Sequence, residues 1–105
     1  HNDVWSTVSG LSGRIVTTAA SAYTLTRLDA IVLVDATTSA VTVNVPAAAS
    51  YNERQWIVKK IDASANAVTL DATGANTIDG AGTLALASQW DSAHIVSNGT
   101  AWFVL

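Results

Sequence analysis

The sequence contains no cysteine, which excludes disulfide bonds and thiolate metal sites. Without cysteine the sequence does not distinguish an oxidising from a reducing compartment. Histidine occurs twice, and one of the two is the first residue, where an expression tag can leave one. Charged residues make up only 12% of the chain, against about 25% in typical soluble domains. No apolar run approaches the roughly 20 residues of a membrane helix, and no signal peptide is visible at the start. We therefore expect no membrane insertion.

The balance of charge is acidic, with a formal net charge of −3 and an isoelectric point near 4.9. Lysine and arginine total five, and only Lys59 and Lys60 are adjacent. Binding to nucleic acid depends on clustered cationic side chains that contact phosphates. The sequence therefore predicts that nucleic acid is not a partner.

Alanine, threonine, valine and serine are abundant, and half of the 105 residues are hydrophobic. Valine and threonine are stiff at χ1 and suit a pleated strand better than a helix. Intrinsic disorder requires low hydrophobicity and high net charge, and this chain has neither. The length fits one domain and is too short for two independent cores. We therefore expect a single folded, β-rich domain.

Short β-type runs recur about every ten residues, with small and polar residues between them. The predicted strands cover residues 14–18, 22–26, 30–35, 40–45, 54–60, 67–71, 83–87, 91–97 and 100–105. Pro46 ends one run, residues 47–50 allow a single helical turn, and Asn98-Gly99 predicts a hairpin that buries Trp102. The pattern predicts an all-β domain of short antiparallel strands with sandwich-like or prism-like packing.

The first 13 residues differ from the rest of the chain. Four apolar residues there and just beyond are spaced by four, three and four positions: Val4, Val8, Leu11 and Ile15. This alternation is typical of a coiled coil, but glycines interrupt it. A flexible leader and a short coiled segment that continues a shaft are both open. We assign residues 1–13 to this leader or shaft junction and residues 14–105 to the β domain.

Two pairs of similar four-residue segments occur in the chain, and we call this weak similarity the internal echo. VDAT at 34–37 resembles LDAT at 70–73, and AVTV at 40–43 resembles AVTL at 67–70. Because the order of the pieces differs between the two copies, we interpret the echo as a result of β-rich composition and not as a duplication.

Three predicted strands are apolar on both faces, namely IVLV at 31–34, WIV at 56–58 and WFVL at 102–105. A strand with one solvated face alternates apolar and polar residues. A domain of about 100 residues has too little protein to cover both faces of several strands. Low charge is also typical of interface cores. An obligate oligomer is therefore expected, although a central strand of a two-sheet sandwich can lack the alternation too.

No pattern of polar residues identifies a catalytic or metal site. The eight acidic residues stand mostly at strand ends and turns, and no pair is singled out by a glycosidase-like spacing. The run from Asp71 to Asn76 resembles part of a calcium loop but lacks the closing glutamate. His94 has no neighbouring histidine for zinc, and no nucleophile elbow accompanies a Ser–His–Asp set. We expect no enzyme activity, no metal and no cofactor.

Exposed aromatic rings stack on sugars, so tryptophan and tyrosine are the candidates for surface recognition. Trp56 and Trp102 lie inside apolar strands and are expected in a core or an interface. Trp90 and Tyr51 flank loops, and we predict that these two form any recognition surface.

Lys59 and Lys60 are consecutive in a predicted strand and therefore point to opposite faces. One of them can reach solvent on a given side. The other is expected to snorkel or to pair with an aspartate, and we place that aspartate across a subunit boundary.

From residue 34 onward an ordered set of short motifs covers about two-thirds of the chain. The motifs are VDAT (34–37), VTVNVPAA (41–48), IVKKIDASANAVTL (57–70), TIDG (77–80), WDS (90–92) and SNGTAWFV (97–104). The ordered set resembles the small β-structured module of tailed-bacteriophage tail fibres, tailspikes and related virion fibre proteins.

The resemblance implies a homotrimeric fibre module with a structural or host-recognition role. It implies a place in the virion, as part of a tail or head fibre, and in the host cytoplasm during assembly. The partners would be further copies of the chain and a polysaccharide or protein of the host cell surface. No catalytic residue is carried over. The alternative is a secreted bacterial carbohydrate-binding module that acts as a monomer.

Overall fold

A computed structural model describes residues 13–105 of the chain. Within these residues the structure is mostly β-strand with almost no helix, and the strands form two mixed sheets. Sheet A contains, in spatial order, β1 (Arg14–Thr18), β3 (Asp29–Val34), β5 (Gln55–Lys60), β8 (Ser92–Ser97) and β9 (Trp102–Val104). Sheet B contains β2 (Ala22–Thr24), β4 (Val41–Val45), β6 (Val68–Ala72) and β7 (Thr83–Leu86). One turn of 3₁₀ helix, Ala48–Ser50, follows β4 where the sequence allows a helical turn.

The first six strands alternate between the two sheets. After each strand the chain crosses to the other sheet, and the next strand but one lies beside the first in the same sheet. As a result β1, β3 and β5 run parallel in sheet A, and β2, β4 and β6 run parallel in sheet B. The antiparallel pairs are β6–β7, β5–β8 and β8–β9. The prediction of antiparallel strands is therefore wrong for the pairings among the first six strands and right for the pairings of β7, β8 and β9. Turn residues show where a strand ends but not which strand it will pair with.

The parallel stack explains half of the internal echo. Val41, Thr42 and Val43 of β4 lie directly beside Val68, Thr69 and Leu70 of β6, so the similar segments at 40–43 and 67–70 are neighbours in sheet B. The similar segments at 34–37 and 70–73 begin in different sheets and are not equivalent in the fold. Similar residues therefore occupy matching positions on two successive passes through sheet B.

In the described residues one hydrophobic core cluster draws on strands of both sheets. Its buried residues are Leu25, Val32, Val34, Ala36, Val41, Val43, Val45, Ala48, Trp56, Val58, Val68, Leu70, Ala72, Ile78, Leu86, Ala93, Ile95 and Trp102. Burial alternates along β4 and β5, because successive side chains of a strand point to opposite faces. The rings of Trp56 and Trp102 meet at the centre with 5.2 Å between their centroids. The expectation that these two tryptophans are buried is confirmed.

The predicted hairpin at the end of the chain is also confirmed. Strands β8 and β9 pair antiparallel, and Ser97 lies opposite Trp102. The connection is a four-residue turn in which the Asn98 side-chain oxygen accepts hydrogen bonds from the backbone N–H groups of Thr100 and Ala101. Gly99 adopts a φ of 90°, which glycine reaches without steric cost.

The predicted leader, residues 1–13, lies outside the described residues except for Gly13. Ile15, the last position of the coiled-coil spacing, belongs to strand β1. No helix in the described part of the chain is long and apolar enough to cross a membrane.

Candidate contact surface and exposed tryptophan

The outward face of sheet A carries a row of isoleucines from three strands. Ile15 of β1 lies beside Ile31 of β3, and Ile31 lies beside Ile57 of β5. Ile15 is 67% exposed, and Ile31 and Ile57 are partly exposed because no segment within residues 13–105 covers this side of the sheet. Sequence analysis missed the row, since these residues are neighbours only through the pairing of distant strands.

Most of the exposed large apolar side chains of the described residues belong to this side of the molecule. They are Ile15, Leu28, Trp90, Phe103 and Leu105. Phe103 is on β9, and Leu105 follows β9 and donates its backbone N–H to His94 of β8. The backbone N–H of Trp90 donates to the carbonyl of Lys60 at the end of β5, which places Trp90 at the rim of the sheet. An apolar surface of this kind is typical of a protein contact site.

Polar side chains share this face with the apolar ones, namely Thr17, Gln55, Lys59, Ser92 and His94. Gln55 and His94 occupy neighbouring strands and hydrogen-bond to each other at 2.6 Å between Nε2 and Oε1, so His94 has a structural partner. Lys59 is the charged residue at the outward positions of β5. The acidic residue of these strands, Asp29, is buried and accepts a hydrogen bond at 2.8 Å from Tyr23 of sheet B. The outward positions of the sheet A strands therefore present no carboxylate.

The outward face of sheet B is different. Thr42 and Thr69 lie side by side on it, and so do Asn44 and Asp71. The edge strand β2 adds the exposed Thr24. These small polar side chains can hydrogen-bond to water, as expected for a solvated face. The two sides of the molecule thus differ in chemistry: the large exposed apolar side chains lie on the sheet A side, and small polar side chains cover the sheet B side.

Trp90 is held outward by a tightly bonded turn. Its side chain is 58% exposed, and its φ of 73° lies in the left-handed region that bulky residues rarely adopt. The Asp91 carboxylate accepts hydrogen bonds from the backbone N–H groups of Ala87 and Ser88. The ammonium of Lys59 lies 5.8 Å from the centroid of the Trp90 ring. The exposed ring of Trp90 and the ammonium of Lys59 from β5 thus lie together at the surface.

The second predicted recognition residue, Tyr51, is placed differently. It is partly buried against the core, and its ring centroid lies 5.1 Å from that of Trp56. The Tyr51 carbonyl accepts the N–H of Arg54, just before β5, whereas Trp90 bonds to Lys60 at the far end of β5. The structure therefore does not bring Tyr51 and Trp90 together into one surface.

Lys60 and Asp62 form a buried ion pair with 2.7 Å between Nζ and Oδ2. Burial by itself raises the pKa of the Asp62 carboxyl, but hydrogen bonds from Lys60, from Ser64 and from the Ala36 backbone hold that pKa far below its ordinary value. The prediction of opposite directions for Lys59 and Lys60 is confirmed. The prediction of a partner aspartate in another subunit is wrong, because Asp62 follows Lys60 by two residues and side chains two apart in an extended segment point to the same side.

Asp29 holds the first strands of the two sheets together. Its carboxylate accepts hydrogen bonds from Arg14 Nε at 2.9 Å, from Tyr23 Oη at 2.8 Å and from the Thr26 backbone N–H at 3.0 Å. Burial opposes the charge of Asp29, but these donors lower the pKa of its carboxyl. The network is satisfied within the chain and acts as a structural clamp.

The described residues contain no group of three or more histidine or acidic side chains that could hold a metal ion. In the segment that resembles a calcium loop, Asn76 is committed to the backbone, since it accepts from Ala48 N–H and donates to the carbonyl of Thr73. No protein-family model matches the chain, and no curated protein matches it either. The observations that bear on function are therefore the apolar side of sheet A and the exposed Trp90.

Proposed function

We propose that the chain is a non-enzymatic structural or host-recognition module of a bacteriophage fibre, and that it works as a homotrimer with sandwich-like or prism-like packing. The observation that carries the proposal is the apolar outward face of sheet A, with its row of Ile15, Ile31 and Ile57. When another protein covers the apolar surface on one side of a domain, the free energy falls because that surface is removed from water. The order of motifs along the chain, which resembles phage fibre modules, supports the same assignment.

A fibre module belongs to the virion and passes through the host cytoplasm during assembly. Its partners are then further copies of the chain and, for a recognition role, a polysaccharide or protein of the host cell surface. The polar side chains of the domain support a structural role, because Asp29, Asp62 and His94 are all committed to hydrogen bonds within the chain.

The mass of the protein in solution tests this proposal. We expect sedimentation equilibrium at micromolar concentration to give about three times the 10.9 kDa of the chain. A well-behaved monomer across that concentration range would remove both the trimer and the fibre assignment.

The exposed Trp90 favours a second candidate, a secreted bacterial carbohydrate-binding module. Such a module requires an aromatic platform on a monomer, and a ring that is 58% exposed beside Lys59 offers one. Quenching of tryptophan fluorescence by acrylamide, with and without polysaccharide, separates the two functions. Protection by polysaccharide that disappears in Trp90→Phe, on a protein of single-chain mass, would favour the carbohydrate-binding module.

A further inference from the structure

We infer that the outward face of sheet A is the surface through which copies of this chain meet, with the edge strand β1 of one copy next to the opposite edge, β9, of the following copy. This inference rests on the proposed homotrimer and deepens it by naming the surface and its occupant. The surface is defined by the row of Ile15, Ile31 and Ile57, together with Phe103 and Leu105 at the far edge.

The size of the domain fits such a contact. The molecule has principal extents of 36 × 35 × 19 Å. A stable protein contact buries about 800 Å² on each partner. By strand geometry the sheet A face is roughly 19 Å wide and roughly 20 Å long, so residues at the ends of the strands supply the rest of that area within the broad extents of 36 × 35 Å.

The width of sheet A fits a threefold arrangement. Five strands at about 4.8 Å spacing give a face roughly 19 Å wide, and three such faces enclose a triangle whose centre lies roughly 5–6 Å from each sheet. Isoleucine and leucine side chains span that distance. The central strand β5 then directs Ile57 towards the axis. At each corner β1 of one copy meets β9 of the next together with residues 77–79, which hydrogen-bond along the outer side of β9.

The residues at the two edges match this geometry. Ile15 is on β1 and is 67% exposed, and Leu105 follows β9 and is 69% exposed. Both belong to the same row across the sheet, because Ile57 pairs with His94, whose carbonyl accepts the N–H of Leu105. A cyclic arrangement therefore places Ile15 of one copy near Leu105 of the next, where each covers the other.

Electrostatics favour the same face. Each copy has a net charge of −3, so the approach of two copies is opposed wherever their carboxylates meet. Asp29 of sheet A is buried and turned towards Tyr23, whereas Asp71 is exposed on the outward face of sheet B. Lys59 is close to the end of β5, beside Trp90, where its ammonium can remain in water at the rim. The strand positions of this face therefore bring no carboxylate to the contact, whereas two carboxylates border it: Asp35 directly follows β3, and Asp79 lies beside β9 and accepts the N–H of Val104.

Charge introduced on either side of the molecule tests the inference. Ile57→Asp places a carboxylate on the outward face of sheet A, and Thr69→Asp places one at an outward position of β6 in sheet B as the matched control. We expect Ile57→Asp to raise the concentration needed for assembly by roughly 100-fold or more, because a carboxylate is costly to bury at a contact. Thr69→Asp should assemble like the parent. Circular dichroism confirms that each variant is folded.

Ile15→Asp is the second variant, and it makes the same measurement possible if Ile57→Asp does not fold. Ile15 is already exposed in the single chain, so a charge there should leave the monomer intact and still prevent assembly. If the parent is a trimer and a folded Ile15→Asp variant remains one, the inference about this face is overturned while the fibre proposal stands. If the parent is itself a monomer, the homotrimer of the proposed function is contradicted, and the inference that rests on it is contradicted too.

Cross-linking tests the arrangement of the edges. The chain has no cysteine, so a bismaleimide reacts only with introduced thiols. We expect the Ile15→Cys/Leu105→Cys double variant to form covalent trimers, and the Thr24→Cys/Thr83→Cys variant, on the edge strands of sheet B, to remain monomeric in a denaturing gel. Covalent trimers from the sheet B pair alone would place the contact on the other side. Covalent dimers that do not extend to trimers would contradict the threefold arrangement.

Discussion

Replacing Trp102 by alanine removes a side chain that joins the last strand to the rest of the core. The Trp102 ring is fully buried and lies 5.2 Å from the ring of Trp56. Its indole N–H donates to the carbonyl of Pro46 at 2.9 Å, and its backbone N–H donates to the carbonyl of Thr77 at 2.9 Å. The indole contacts are lost together in the alanine variant, whereas the backbone hydrogen bond can persist.

The expected loss of stability follows from burial. Removing a buried aromatic side chain costs about 3–5 kcal/mol, because the apolar contacts vanish and the cavity closes only in part. The carbonyl of Pro46 also loses its indole partner. For a domain of about 100 residues, each kcal/mol lowers the melting temperature by about 4–8 °C, so the expected decrease is at least about 12 °C. A loss of this size is a large share of the about 5–15 kcal/mol that stabilises a typical domain.

The assay is thermal melting followed by far-ultraviolet circular dichroism, together with the mass in solution. Trp90→Ala is the matched control, since it removes the same side chain from a site that is 58% exposed. We expect the control to melt within a few degrees of the parent. If Trp102→Ala also melts within a degree or two of the parent, and at the parent's mass, the last strand does not close the core as described.

Two further predictions concern the buried carboxylate and the final turn. Because folding lowers the pKa of Asp62, its contribution to stability is present above the ordinary value of 3.8 and is lost as the pH falls below it. We expect Asp62→Asn to melt lower than the parent at neutral pH and to show a smaller decrease on acidification in melts between pH 7 and pH 2. Gly99→Ala should cost about 1 kcal/mol or more in chemical denaturation, because φ is 90° and a Cβ would lie 3.0 Å from Asn52 Oδ1. Gly82→Ala, where a Cβ meets open space, is the control, and equal effects of the two substitutions would contradict this account.

Local residue chemistry predicts where the strands of this protein begin and end. The run at 14–18 matches β1 at both ends, and the predicted strands at 40–45 and 54–60 each begin one residue before β4 and β5. Valine and threonine favour the pleated backbone, and Pro46 and Gly99 interrupt it, so these boundaries depend only on neighbouring residues. The same local signals predicted the hairpin of β8 and β9 and the burial of Trp102.

The direction of pairing could not be predicted in the same way. A strand that crosses to the other sheet and one that turns back in a hairpin can both end in the same small polar residues. The direction of pairing depends on which distant segment offers a matching apolar face. That partner is determined only when the whole core forms. The correspondence between Val41–Val43 and the residues at 68–70 was visible in the sequence, but without a structure it is indistinguishable from the repetition of a few common residues.

The candidate contact surface was hidden for a related reason. Ile15, Ile31 and Ile57 become neighbours through parallel pairing, but they are 16 and 26 positions apart in the chain. The unequal intervals leave no period to detect, because the connections between successive strands of sheet A differ in length while the register between those strands stays fixed. Shifting the register of β3 by one residue would turn Ile31 inward and Val32 outward. The isoleucine row therefore depends on the same buried valines that fix the register, so a change at Val32 is expected to disturb a surface that Val32 does not reach.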